Sequence, residues 1–361
     1  MTWGWAKRLL DRLGAPELDW VQVEITTRCN ARCSYCPRTA LLPHWSNRDM
    51  PLEHFRNLLR CLGQTRQAHL QGWGEPLLHP QFFELVGLCK DKGLAVSTTT
   101  NGINLDDACL RRLVELELDV LGVSLAGVRP KINDTLRAGT SMARLGESLA
   151  RLAELKARLG RSRPEVHLAY LNVSDGPEDL ALLPELACGM GVAKIMVSEP
   201  SPSATPELPG LRLDRERRDL AHREAVYERL AGLGAAHGLE VFWASHLRRA
   251  AGLICTENPC AACVVGVGGE VSPCVFCAPT LAGGTAAPAE PHRSAPLVFG
   301  ELGRDSLTDI WHCEPYVRFR ALFEPGGQEH RWPEQCVACP QRSRPPKDHT
   351  GRELSADSTA P

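Results

Sequence analysis

Between Val21 and Trp243, short runs of β-branched and other apolar residues alternate with longer segments whose apolar positions recur every three or four residues. That alternation marks strand–helix units repeated around a parallel sheet. Strands are predicted near Val21 to Thr26, Ala68 to Gln71, Ala95 to Thr100, Val120 to Ser124, Val166 to Leu171, Lys194 to Val197 and Leu239 to Trp243. The periodicity between them predicts helices around Leu52 to Cys61, Pro80 to Lys92, Asp106 to Leu116, Met142 to Leu159, Glu178 to Cys188 and Arg212 to Leu233. The expected fold class is α/β, a partial (βα)6 barrel over residues 18–250, with its chemistry at the carboxyl ends of the strands. A smaller α+β domain is expected over 251–342. Trp3, Trp5, Leu9, Leu10 and Leu13 give residues 1–17 an apolar helical stripe suited to packing on the barrel. Two Pro-rich stretches, Ser198 to Gly210 and Ala278 to Pro296, read as loops, and 343–361 as a disordered tail.

Composition sharpens this picture in one respect. Of the 361 residues, 43% are hydrophobic and 23% charged, enough apolar material for two cores. A net charge of -2, with no run of Lys/Arg interleaved with aromatics, argues against nucleic acid or an anionic membrane as partner. No stretch reaches the roughly 18 apolar residues of a membrane span, and the first residues lack the apolar core of a signal peptide, so a cytoplasmic protein is expected. Its fifteen cysteines then need an explanation, because cytosolic thiols stay reduced. Metal or cluster ligation accounts for the grouped ones. Cys61, Cys89, Cys109, Cys188 and Cys313 stand alone in helical patterns and read as small buried hydrophobes.

The first group follows the first strand at once: CNARCSYC places Cys29, Cys33 and Cys36 in a CX3CX2C spacing. Soft thiolates suit zinc or an iron–sulfur cluster, and a purely structural site of either kind wants four protein ligands. No fourth cysteine is near. Three thiolates around a cubane leave one iron open to chelate a small molecule. With Tyr35 before its last cysteine, the motif resembles that of the radical S-adenosylmethionine (SAM) superfamily, whose fold is a partial TIM-like barrel. QGWGEP (Gln71 to Pro76) resembles the family's GGEP segment, and TTNG (Thr99 to Gly102) and VSLAG (Val123 to Gly127) follow in order. The resemblance implies SAM contacts from Tyr35, Gly72, Trp73, Gly74, Glu75, Ser124 and Arg137, the guanidinium reaching the SAM carboxylate. Trp73 replaces the first glycine of GGEP, and Ala126 the usual Asp of VSLDG.

The second group is CTENPCAACVVGVGGEVSPCVFC, with Cys255, Cys260, Cys263, Cys274 and Cys277, followed by CVACP with Cys336 and Cys339. VVGVGGEVSPC reads as a hairpin turning at Gly268 and Gly269 and presenting Cys274. This segment resembles the SPASM and twitch domains that bind an auxiliary 4Fe–4S cluster, and Phe299 to Arg320 resembles the helix before their closing cysteines. The resemblance implies one auxiliary cluster on Cys255, Cys274, Cys336 and Cys339. Cys260, Cys263 and Cys277 are possible substitutes, and a zinc site on two CX2C pairs is the alternative.

The family's chemistry is reductive cleavage of SAM to a 5'-deoxyadenosyl radical. The expected activity is oxidation or modification of a peptide or protein side chain, by a radical SAM oxidoreductase or maturase supplied with electrons by a flavodoxin or ferredoxin. Dehydrogenation of a small-molecule metabolite and a non-catalytic metal-binding module are the alternatives. His44, Trp45, His167, Tyr170, Glu199 and His246 lie near strand ends or loops without a role the sequence identifies.

Overall fold

The computed structural model describes residues 18–62, 65–173, 176–200, 220–251, 254–278, 295–324, 332–337 and 339. The expected N-terminal helix, the tail and nearly all of the two Pro-rich stretches lie outside the described residues.

Among those residues the seven expected strands all form: β1 (Trp20–Val23), β3 (Gln67–Leu70), β4 (Ala95–Thr100), β5 (Val120–Leu125), β7 (Glu165–Leu171), β8 (Lys194–Ser198) and β9 (Glu240–Trp243). They pair in parallel in the order β1-β3-β4-β5-β7-β8-β9, an open, barrel-like α/β sheet rather than a closed barrel. Two short strands, β2 (Arg32–Cys33) and β6 (Arg137–Ala138), form an antiparallel pair of their own. The expected hairpin becomes β10 (Ala262–Val265) and β11 (Glu270–Ser272), and β12 (Gly300–Glu301) joins its outer edge. β10 runs parallel to β1, Val23 opposite Val265, so the second cysteine region continues the main sheet.

Strand periodicity divides the sheet into two unlike faces. Val21, Ala68, Leu70, Val96, Leu121, Val123, Leu168, Tyr170 and Ile195 are all 1% exposed or less and belong to one apolar core. Helices Leu52–Cys61, Phe82–Asp91, Asp107–Glu115 and Met142–Leu159 add Phe55, Leu85, Leu110, Leu113 and Leu152 to it. The longest, Met142–Leu159, is capped at its start by Ser141, whose Oγ accepts from Arg144 N, and ends on Gly160 in the left-handed region (φ 61°). The opposite face is polar. There Ser97 Oγ accepts from Gln67 Nε2 at 2.8 Å and lies 2.8 Å from His69 Nδ1, while His69 Nε2 faces Gln71 Oε1. Only a ring protonated at Nε2 satisfies both contacts, and burial lowers the His69 pKa, which favours that neutral form.

Two expected helices are interrupted. The first divides into Pro177–Leu180 and Leu183–Gly189, with Pro184 in the first turn of the second segment, where its missing N–H costs nothing. The other, expected over Phe299 to Arg320, opens instead with strand β12, becomes helical at Leu307 and divides at Cys313 into Leu307–His312 and Glu314–Ala321, again with a proline in the first turn. Behind it Phe299 stacks on Tyr316 at 4.2 Å, Arg320 lies 4.0 Å over Trp311, and Phe323 meets Trp332 edge-on at 4.6 Å. These aromatics tie β12 to the segment carrying Cys336. Of the lone cysteines Cys89 is buried as expected, whereas Cys188 is exposed. Leu168 lies at the centre of the sheet with no exposed surface. Leu168→Ala is expected to destabilise the chain by about 2–5 kcal/mol, read as a lower midpoint of anaerobic urea unfolding.

Candidate functional site

β1 leads into the cysteine loop, and its exit is fixed on three sides. Trp45 Nε1 donates to Thr27 O at 2.8 Å, which gives Trp45 a structural place under the loop. Arg28 pairs with Asp49 at 2.7 Å and donates to Leu78 O at 2.7 Å. Inside the loop, β2 and β6 pair so that Cys33 stands opposite Arg137, and Ser34 N donates to Leu136 O at 2.9 Å. The sequence spacing contains no sign of this pairing, which joins residues about a hundred positions apart.

Cys29, Cys33 and Cys36 are free and half-buried. Burial pushes the Cys29 thiol up and the Cys36 thiol to about 12, with the neighbouring cysteines adding in the same direction. Arg137 is 5% exposed and donates from NH1 to Tyr35 Oη at 2.8 Å. Burial disfavours its charge, but Tyr35, Cys33 and Glu75 more than compensate, so its pKa rises. A buried guanidinium beside Cys33, in a loop of three cysteines with no fourth, suits a cluster that binds an anionic chelator at its open iron.

The GWGEP segment leaves β3 beside this loop. A Cβ on Gly74 would lie 2.2 Å from Thr26 O and 2.7 Å from Arg28 O, and one on Gly72 would lie 2.2 Å from the Glu24 side chain. Both glycines are therefore demanded by close packing on the exit of β1. Glu75 is 2% exposed, and its backbone N donates to Arg28 O at 2.7 Å. Its carboxylate accepts from Thr100 Oγ1 at 2.7 Å, Asn101 N at 2.7 Å and Leu77 N at 3.2 Å. Burial raises its pKa, and these three donors oppose the rise. Trp73, the departure from GGEP, reaches the second cysteine region: its Nε1 donates to Val275 O at 3.4 Å, and its ring meets Phe276 edge-on at 6.1 Å. Ser124 lies at the end of β5 opposite Ala169 of β7. Ala126 is 1% exposed, and its N–H donates to Asn133 Oδ1 at 3.0 Å, so no acid is needed to satisfy that amide.

In the second region Cys255 interacts with Cys274 and Cys339, and Cys277 lies within hydrogen-bonding reach of both Cys274 and Cys336. Five thiols are thus gathered. Cys263 is a fully buried core residue of β10, and the Cys260 thiol donates to Arg320 O at 3.6 Å. The choice between zinc and an iron–sulfur cluster here rests on the family comparison below rather than on the spacing of these thiols.

Two polar groups, one beside the first site and one on the polar face of the sheet, have no role that the sequence identifies. Asn101 lies inside TTNG, and its amide approaches Cys29 at 3.8 Å. His69 belongs to the polar face, and the alternation of Gln67, His69 and Gln71 is the signal that places it there. Glu199 pairs with Arg223 at 2.6 Å, and His167 with Glu165 at 2.6 Å. Tyr170 is core, and His246 packs on Trp243 at 4.7 Å. No helix among the described residues is long and apolar enough to cross a membrane. Gly74→Ala is expected to push the cysteine loop from its seat and to lower the iron bound per chain after anaerobic reconstitution. Gly87→Ala, whose Cβ meets nothing within 4 Å, should load as the parent does in the same iron analysis.

Comparison with known proteins accords with this geometry. Residues 23–161 match the radical SAM superfamily and residues 255–340 the iron–sulfur cluster-binding SPASM domain. The tungsten-containing aldehyde ferredoxin oxidoreductase cofactor-modifying protein of Pyrococcus furiosus is 25% identical over 311 residues, 84% of each chain. The PqqA peptide cyclase of Ruegeria pomeroyi is 33% identical over 116 residues, only 31% of this chain and 30% of its own. The structure of Streptococcus suis SuiB bound to S-adenosylmethionine overlays with a TM-score of 0.62 at 14% identity, covering 86% of this chain and 70% of that one. The structure of anSMEcpe with bound AdoMet and Cp18Cys peptide overlays at 0.60 with 16% identity, covering 93% and 92%. At such identities these overlays speak to the fold. The chain thus carries a radical SAM domain over residues 23–161 and an iron–sulfur cluster-binding SPASM domain over residues 255–340, with SAM, a 4Fe–4S cluster and auxiliary iron–sulfur binding as its cofactor chemistry.

Proposed function

We propose that this enzyme is a radical SAM oxidoreductase or maturase that oxidises or modifies a side chain of a peptide or protein. When reduced, the 4Fe–4S cluster supplies the electron that splits SAM into methionine and a 5'-deoxyadenosyl radical. Cys29, Cys33 and Cys36 are the ligands we assign to it, and Arg137, oriented by Tyr35, the group that receives the SAM carboxylate. The backbone of Gly72 to Glu75 is assigned to the SAM amino group and Ser124 to its ribose. Cys255, Cys274, Cys336 and Cys339 are assigned to one auxiliary cluster, with a flavodoxin or ferredoxin as reductant.

The observation that supports this reading most is the junction between the two cysteine regions. β10 extends the sheet beside β1, and Trp73 reaches from the GWGEP loop to Val275, between Cys274 and Cys277. The protein's contribution is placement: it holds the two sites at a fixed separation on one rigid sheet. A peptide substrate accords with the likeness to SuiB bound to precursor peptide SuiA and to peptide-bound anSMEcpe. A second reading, modification of a small cofactor, has its support in the Pyrococcus furiosus relative, which aligns over most of both chains.

Anaerobically reconstituted enzyme with dithionite is expected to release 5'-deoxyadenosine from SAM, and Cys33→Ala to release less than a hundredth as much. Equal, negligible release by both proteins, measured by liquid chromatography, would refute the enzymatic reading. Deuterium transfer into 5'-deoxyadenosine from labelled peptides, as against labelled small cofactors, separates the two substrate classes.

A further inference from the structure

We infer that Asn101 is a positioning residue of the first cysteine site, donating an N–H···S hydrogen bond to Cys29 that raises the reduction potential of the cluster held there. This rests on the assignment of Cys29, Cys33 and Cys36 as cluster ligands. Asn101 Nδ2 lies 3.8 Å from Cys29 Sγ and 2.8 Å from Asn30 Oδ1. The amide orientation is fixed by its other end, because Oδ1 accepts from Ile103 N at 2.9 Å. A flipped amide would set oxygen against both Asn30 Oδ1 and the thiolate and nitrogen against a backbone N–H, losing every one of these bonds. The backbone is held as well: Asn101 N donates to Glu75 Oε2 at 2.7 Å, and the residue is 8% exposed.

The side chain therefore points an N–H at one ligating sulfur with almost no freedom to turn away. Such a donor draws electron density from the sulfur and favours the more electron-rich, reduced cluster. The setting makes this contribution matter. Glu75, a buried carboxylate that interacts with Cys29, places negative charge where an added electron must go. The donors from Thr100, Asn101 and Leu77 disperse that charge, and the Asn101 amide acts on the sulfur directly. Asn101 thus works on both groups that decide how readily the site accepts an electron. The GEP and TTNG motifs, far apart in sequence, meet at this residue.

The test is a redox titration of the anaerobically loaded full chain without SAM, followed by electron paramagnetic resonance, the relevant signal being the one absent from Cys33→Ala. Asn101→Ala should lower the reduced-to-oxidised ratio several-fold at the wild-type midpoint, a tenfold fall corresponding to about 59 mV for one electron. Asn101→Asp keeps an acceptor for Ile103 N, replaces the donor with oxygen, and should shift the titration further in the same direction; it covers the case in which the alanine variant fails to fold. Asn30→Ala leaves the N–H aimed at sulfur and should titrate as wild type. Wild-type midpoints in iron-loaded Asn101→Ala and Asn101→Asp would overturn the inference. So would a loss of iron from these variants with an unchanged midpoint in the loaded fraction, since that assigns Asn101 a structural role only. Wild-type protein that holds no reducible cluster lost in Cys33→Ala would overturn the cluster assignment itself.

Discussion

The carboxylate of Glu75 is the tie on which the first site's geometry depends. A buried carboxylate is costly unless its oxygens are hydrogen-bonded. Glu75 meets that demand by accepting from Thr100 and Asn101 at the end of β4 and from Leu77 in its own turn, while its backbone N–H anchors to Arg28. One residue, through its carboxylate and its backbone N–H together, thereby locks the ends of β1, β3 and β4 to one another. The neighbouring Gly74 has no room for a Cβ because its backbone lies against the carbonyls of Thr26 and Arg28. The cysteine loop springs from that packed junction.

The loop is then closed from a second direction. Pairing of Arg32 and Cys33 with Ala138 and Arg137 brings a buried guanidinium to the cysteines, and Tyr35 orients it. Positive charge beside a cysteine group is physically apt for an anionic ligand, and burial strengthens the interaction by excluding water. The polar face of the sheet, with Gln67, His69 and Ser97 bonded to one another, continues away from this point. Its hydrogen bonds are already made among neighbours, so the face is ordered before any ligand arrives.

The second cysteine region depends on the edge of the same sheet. β10 adds to β1 in parallel, β11 returns antiparallel, and Cys274 emerges just after it. Five thiols gather there, while Cys263 is taken by the core and Cys260 by a backbone carbonyl. The aromatic chain from Tyr316 through Phe319 and Phe323 to Trp332 holds the described segment that carries Cys336. Trp73, where glycine is usual, spans from one region to the other, and its indole needs a hydrogen-bond partner that Val275 provides.

Much of this was legible in the chain itself, because the signals involved are local. Short β-branched and apolar runs set the strands, recurrence every three or four residues the helices, and the CX3CX2C and GWGEP spacings marked the first site, since thiolate ligation and tight backbone approach both require particular residues at fixed short separations. Prolines mark both helix interruptions, although the periodicity of Glu178 to Cys188 and the resemblance of Phe299 to Arg320 each read as a single helix. Other features depend on residues distant in sequence. The β2–β6 pairing, the Asn101–Cys29 contact, the arrival of Cys277 among the auxiliary thiols and the burial of Cys263 each join segments whose spacing encodes nothing about their meeting. Sequence determined which residues could ligate, cap and pack; the tertiary structure decided which of them meet, because burial and hydrogen bonding across strands are settled only when the sheet has closed around them.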